Sequence, residues 1–230
     1  MDCMDMEFEK QDMPMKKTTI ILASASPRRR ELLGQVGIIP EVLPSHVEEV
    51  VTSTKPDHVV MELSAQKAED VAAMYYDRAT VTGPDVVIIG SDTVVAVDGE
   101  ILGKPRDAED AVRMITMIQG RTHQVYTGVT MIFGRTGECV TFAEKTDVHV
   151  YPMTEEQIRR YVDTKDPMDK ADSRIWDTNT GRLEWEDKAG GYAIQGYFAR
   201  FIKKIDGDYY NVVGLPVGRV CQELMKVGIL

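Results

Sequence analysis

Two hydroxyls and three guanidiniums fall together in Ser24-Ala25-Ser26-Pro27-Arg28-Arg29-Arg30. Groups of this kind favour an anion, and a phosphate is the natural occupant. The alternative is an ordinary capped helix with solvated arginines. Asp92 is the second candidate, standing in Gly90-Ser91-Asp92-Thr93 between the apolar runs Val86-Val87-Ile88-Ile89 and Val94-Val95-Ala96-Val97. A carboxylate among apolar neighbours is costly unless it meets a cation, a metal or backbone donors. The competing reading is a structural aspartate satisfied by a turn at Gly90. Lys104 returns across a hairpin towards the Asp92 end, and a cation there favours the ionised carboxylate. Lys67 lies beside a helical apolar stripe, where lysines ordinarily snorkel to solvent. Glu48-Glu49 reads either as a carboxylate at the mouth of a site or as a solvated acidic loop. His46 and Glu49 have an i, i+3 metal-like spacing, which alone is a weak signal.

These groups need elements to hold them. The apolar residues Ile20 to Ala23 read as a buried strand feeding a helix, with Ser26 at the N-cap and Pro27 at the first helical position. A helix N-terminus offers unpaired N–H groups and the positive end of a dipole, which again suits an anion. A short strand follows at 41–43, then a helix over 57–77 with a stripe through Val60, Leu63, Ala68, Val71 and Ala72. Val86 to Ile89 reads as a strand covered on both faces. Asp98-Gly99 marks a type I′ hairpin turn back to Gly103-Lys104-Pro105. A helix capped by Asp107 and two long strands, 122–133 and 138–150, come next. Thr127-Gly128 interrupts the apolar pattern of the first, as a bulge or a close ligand approach does. His123 and His149 fit strand positions and packing roles. Thr154-Glu155-Glu156-Gln157 is a capping box. Segments 198–205 and 209–213 read as strands around Asp206-Gly207, and Gly214-Leu215-Pro216 opens a final helix. The pattern predicts a mixed-sheet α/β chain without regular βαβ alternation, and with neither GxGxxG nor GxxxxGK[ST].

Composition bounds the partners. The chain has 230 residues, 43% hydrophobic and 28% charged, with a net charge of −10. That charge argues against a broad nucleic-acid surface, so an acidic ligand needs a local basic pocket and a divalent cation. Cys3, Cys139 and Cys221 are odd in number and lack CxxC spacing, which points to free thiols in a reducing, cytoplasmic setting rather than a zinc site. No apolar run approaches the ~18–20 residues of a membrane span. Residues 1–17 read as a disordered tail ahead of one catalytic domain, 18–230. Met168-Asp169-Lys170-Ala171 is echoed by Glu186-Asp187-Lys188-Ala189. The segment 172–186 between them, holding Trp176 and Trp185 around Thr178-Asn179-Thr180-Gly181, reads as an inserted polar hairpin.

Five motifs occur in one order: Ser24-Ala25-Ser26-Pro27-Arg28-Arg29; Gly90-Ser91-Asp92-Thr93-Val94; Gly99-Glu100-Ile101-Leu102-Gly103-Lys104-Pro105; Asp187-Lys188-Ala189-Gly190-Gly191-Tyr192-Ala193-Ile194-Gln195-Gly196; and Gly207-Asp208-Tyr209-Tyr210-Asn211-Val212-Val213-Gly214-Leu215-Pro216. The chain thereby resembles the Maf family of house-cleaning nucleoside triphosphate pyrophosphatases, once described as septum-formation inhibitors. The resemblance implies an α/β fold related to inosine triphosphatases: a mixed twisted sheet with flanking helices and two lobes around a central cleft. It implies divalent-metal-dependent hydrolysis (Mg²⁺ or Mn²⁺) of a nucleoside triphosphate to the monophosphate and pyrophosphate. Arg28, Thr93 and Gln195 match the subgroup acting on dTTP and UTP. Asp92 matches the proton acceptor, while Ser24, Arg29, Lys67 and Lys104 match positions that hold the triphosphate and balance charge at phosphorus. Glu49 matches a carboxylate near the site, a metal neighbour with Asp92. The insertion departs from the family pattern. Asp187 and Lys188 are assigned to the site because their distance to Gln195 is unchanged. The resemblance also suggests a homodimer. A pyrophosphatase for non-canonical purine nucleotides and a non-catalytic, nucleotide-binding regulator of division are the alternatives.

Overall fold

The computed structural model describes residues 18–78, 86–134, 136–162, 176–177, 182–183 and 188–230. The expected tail 1–17, the Asp169-Lys170 copy, Asp187, Trp185 and most of the inserted segment lie outside the described residues. Of that segment, Trp176–Asp177 (β7) pairs antiparallel with Arg182–Leu183 (β8).

Twelve residues of continuous strand, Val86–Val97 (β3), form the axis of the sheet. The competing reading of Asp92 set a turn at Gly90, but pairing to Thr122–Phe133 (β5) runs unbroken from Val87↔Phe133 to Ala96↔Gln124. Thr19–Leu22 (β1) joins the other edge of β3 in parallel, and Glu41–Val42 (β2) lies outside β1. Cys139–Val150 (β6) and Ile202–Asp206 (β9) extend the far side antiparallel, while Glu100–Leu102 (β4) folds back on β3 through Asp98-Gly99. The seven-stranded sheet is therefore mixed, as the pattern predicted.

Side chains alternate across β3, and the two faces receive different helices. Ile88 packs with Ala68, Val71 and Ala72 of the helix Pro56–Arg78 (α2). Gly90 shares that face, and an added Cβ would stand 2.2 Å from the Ser64 carbonyl oxygen; at Gly128 of β5 it would stand 2.1 Å from Val60 O. These two bare positions let α2 lie directly on the sheet. The Gly128 interruption is thus a helix contact, with no bulge in the ladder.

On the opposite face, Val87 and Ile89 pack with Leu32 and Leu33 of Pro27–Gln35 (α1) and with Val217, Val220 and Leu224 of Val217–Lys226 (α6). Further along, Val95 and Val97 pack with Ala108–Ile118 (α3), Glu155–Val162 (α4) and the ring cluster Tyr161, Tyr192 and Phe198. The Asp107 cap and the Thr154/Gln157 capping box form as expected. Tyr209–Val213 differs: it is a short helix (α5), not a strand. Asp208 accepts from Tyr210 N at 2.8 Å, and Gly214, at φ +124°, stops the turn. Two caps outweigh the strand preference of Tyr and Val over so short a stretch. Segment 198–205 likewise divides into a 3₁₀ turn, Tyr197–Phe201, and β9.

Candidate active site

The cleft opens where one edge of β3 loses its neighbours. β1 pairs with it through Leu22↔Ile89 and β4 resumes at Val95↔Leu102, so among the described residues no strand pairs with Gly90 to Val94 on that side. The chain leaving β1 turns through Ser24 into α1 at this gap. The resulting cavity, of about 880 Å³, is lined by residues from both sides of the gap.

Asp92 follows Gly90 on the α2 face, opposite Gly128 in the ladder. Because α2 sits so close there, Lys67 reaches it: Nζ is 2.5 Å from Asp92 Oδ1 and 2.8 Å from Glu49 Oε1. The Lys67 and Asp92 side chains are only 16% and 15% exposed, so this lysine does not snorkel. Two carboxylates converge on one ammonium, leaving a net negative charge in the cleft wall. Lys104 also lines the cleft but is exposed. The cation that touches Asp92 is therefore Lys67, whereas hairpin geometry had pointed to Lys104.

Glu49 rides on a segment without regular structure that is fastened to α2 through side chains. Asp70 accepts from Ser45 Oγ (2.7 Å) and His46 N (3.0 Å). Gln66 both accepts from Val50 N (2.9 Å) and donates to Val50 O (2.6 Å). Glu62 accepts from Thr52 N (2.9 Å) and Thr52 Oγ1 (2.6 Å). Residues 62, 66 and 70 are one stripe at i, i+4, i+8, and Lys67 beside it holds Glu49 itself. These hydrogen bonds hold the Glu62 and Asp70 carboxyls below their ordinary range.

Across the gap, Arg29 donates through Nε to Gly214 O (2.8 Å), through Nη1 to Ser24 Oγ (3.0 Å) and Ser91 O (2.9 Å), and through Nη2 to Thr93 Oγ1 (3.1 Å). Four of its five N–H groups thus donate to protein oxygens. Burial lowers the guanidinium from its usual pKa, while the nearby charges of Asp92 and Glu49 act in the opposite direction. Ser24 Oγ also accepts from Ser26 N (3.2 Å). Ser26 has the N-cap position without a side-chain capping bond, so the local hydroxyl bonding is done by Ser24.

Arg28, Thr93 and Lys188 line the same cleft; Gln195 is exposed and lies outside the lining. Beyond the polar end the wall turns apolar, through Val95, Val125, Tyr192, Val212 and Val213. The Tyr192 hydroxyl is bonded to His123 Nε2 at 2.6 Å. Burial, then the nearby His149, push His123 down to about 3, and burial raises Tyr192. Both are neutral, so this wall offers a ring rather than a charge. His149 is bonded to Thr122 and Asp206, away from the cleft lining.

Among the described residues no three His, Cys, Asp or Glu cluster as a metal site. Glu49 and Asp92 alone fit a hard cation of the kind that takes one or two carboxylates and completes its shell with phosphate oxygens and water.

A mixed α/β protein whose cleft sets a carboxylate–lysine–carboxylate group against a hydroxyl-rich, arginine-backed helix N-terminus is equipped to handle phosphate esters. A family model described as "Maf-like protein" matches residues 19–182 and again 172–227, and the chain belongs to the Maf family. A dTTP/UTP pyrophosphatase of Agathobacter rectalis is 53% identical over 219 residues, covering 91% of this chain and 98% of the relative. A dTTP/UTP pyrophosphatase of Lachnoclostridium phytofermentans is 45% identical over 213 residues, 91% of this chain and 95% of the relative. The Staphylococcus aureus Ham1 protein superposes over 91% of this chain and 98% of its own, with a TM-score of 0.42 at 13% identity, a likeness too low to add to the assignment.

Proposed function

We propose that this protein is a nucleoside triphosphate pyrophosphatase that hydrolyses dTTP and UTP to the monophosphate and pyrophosphate. The observation that carries the reading is the convergence of Asp92, Lys67 and Glu49 opposite the Ser24–Arg29 turn in one cleft. The names of its relatives supply the substrate class.

In this reading Asp92 takes a proton from the attacking water. The water oxygen bonds to phosphorus, the α–β bridging P–O bond breaks, and pyrophosphate leaves. Lys67, Lys104 and the Arg29 side balance the charge that builds on the phosphoryl oxygens. Ser24 and the N-terminal end of α1, with its positive dipole, hold phosphate. The apolar wall around Tyr192 takes the base, with Arg28 and Thr93 setting its choice and Lys188 binding the substrate. Glu49 and Asp92 would hold a divalent cation, Mg²⁺ or Mn²⁺, which when bound would supply charge neutralisation and acidify the attacking water. Residues 18–230 act as one catalytic domain, and a homodimer in the cytoplasm is the expected setting. No helix among the described residues is long and apolar enough to cross a membrane.

The test is pyrophosphate release over canonical and modified nucleotides with Mg²⁺ or Mn²⁺, beside Asp92→Asn. Turnover of dTTP and UTP, lost in the variant, is the expected result. No turnover of any triphosphate, or an equally active variant, overturns the mechanism; a purine preference overturns the substrate assignment alone.

A further inference from the structure

Thr127 is fully buried on β5, stands opposite Thr93 in the ladder, and does not line the cleft. Its Oγ1 donates to Asn211 O at 2.9 Å and lies 2.9 Å from Thr93 Oγ1. A hydroxyl carries one hydrogen. That of Thr127 goes to a carbonyl, which can only accept, so the Thr93–Thr127 bond must be donated by Thr93. The Thr93 hydrogen is then committed as well, and its oxygen accepts from Arg29 Nη2. The chain has one direction: Arg29 to Thr93 to Thr127 to the Asn211 carbonyl.

Its far end is held firmly. Asn211 is buried and donates through Nδ2 to Val125 O (3.1 Å) and to Thr146 Oγ1 (2.9 Å). Gly214, just past the same short helix, accepts from Arg29 Nε and from Ser91 Oγ (3.2 Å). Helix α5 therefore grips the guanidinium at two points, directly through Gly214 and indirectly through the two threonines.

We propose that Thr127 is a positioning residue: by accepting the Thr93 hydrogen it turns the Thr93 lone pair onto Arg29 and fixes the plane of the guanidinium at the phosphate end of the cleft. One consequence is that Thr93 has no hydrogen to offer a phosphate oxygen. The kinetic part of this proposal rests on the pyrophosphatase reading; the orientation of Arg29 does not.

The experiment compares Thr127→Val with Thr127→Ser, well below the melting temperature of each. Valine keeps the shape and removes the hydroxyl; serine keeps the hydroxyl and removes a methyl. Expected is a fall in kcat/KM for dTTP and UTP of about tenfold or more in the valine variant, the factor carried by one hydrogen bond to a charged group. The serine variant is expected to stay near wild type. In parallel, ¹⁵N NMR reads the Arg29 guanidinium N–H signals, assigned by their loss in Arg29→Lys. They should change in the valine variant and persist in the serine one. Equal activity loss in both variants, or loss in valine with Arg29 signals unchanged, overturns the proposal. If wild type turns over no triphosphate, the functional reading falls, and the NMR comparison still decides whether Thr127 orients Arg29.

Discussion

Lys67 touches two carboxylates at once, so its removal should cost more than one phosphate contact. In Lys67→Met, Asp92 and Glu49 would face each other without the ammonium between them. Pyrophosphate release is expected to fall about 100-fold or more, the scale of losing a preorganised charge at a phosphoryl-transfer site, with the fold intact by circular dichroism. The candidate groups Ser24, Arg29 and Asp92 were legible in the sequence because hydroxyl, guanidinium and carboxylate stood directly after or between apolar runs. What the sequence left obscure were partners across elements. Lys67 looked like a snorkelling lysine because the depth of α2 on the sheet is not written beside it. Arg29 looked like a plain phosphate ligand because its acceptors, Gly214, Ser91 and Thr93, depend on how distant segments meet. Gln195, singled out by resemblance, lies outside the cleft lining.

At the scale of elements, the depth of α2 is set by two positions with no side chain. Gly128→Ala would drive a methyl group into the backbone at Val60, so the helix must shift and carry Lys67 away from Asp92. A loss of about 1–3 kcal/mol is expected in urea denaturation, together with slower turnover of the folded protein. Gly218→Ala on α6, where an added Cβ meets nothing within 4 Å, is the control and should not destabilise. Sequence periodicity located α2, α3 and the long strands well, since each repeats its pattern over ten or more residues. It failed at α5, five residues long, where composition spoke for a strand and only the caps at Asp208 and Gly214 spoke for a helix. The continuity of β3 through Gly90 was likewise hidden, because the glycine serves the helix above rather than a turn.

At the scale of the whole molecule, the His123–Tyr192 pair belongs to the apolar side of the cleft. His123 is held neutral in the folded protein, at about 3, whereas an unfolded histidine takes up its proton near 6.5. Between those values the unfolded state binds more protons, so stability falls as pH drops through 6.5 towards 3. The full effect is on the order of a few kcal/mol. Thermal melts of wild type and His123→Gln from pH 7.5 to 4 should converge as acid removes the advantage of the native residue. The mixed sheet was foreseen at this scale, and the resemblance implied a central cleft, but its place in the sheet was not legible, because it arises where β1 stops and β4 has yet to begin. The segment bearing Glu49 adds a constraint on chain length. Its place is counted out against successive turns of α2, at residues 62, 66 and 70, rather than by a backbone ladder. Single substitutions can loosen one rung and leave the others, but a one-residue insertion or deletion between Ser45 and Thr52 puts the rungs on its two sides out of step with each other. The protein can therefore drift in the letters of this segment while its number of residues stays fixed.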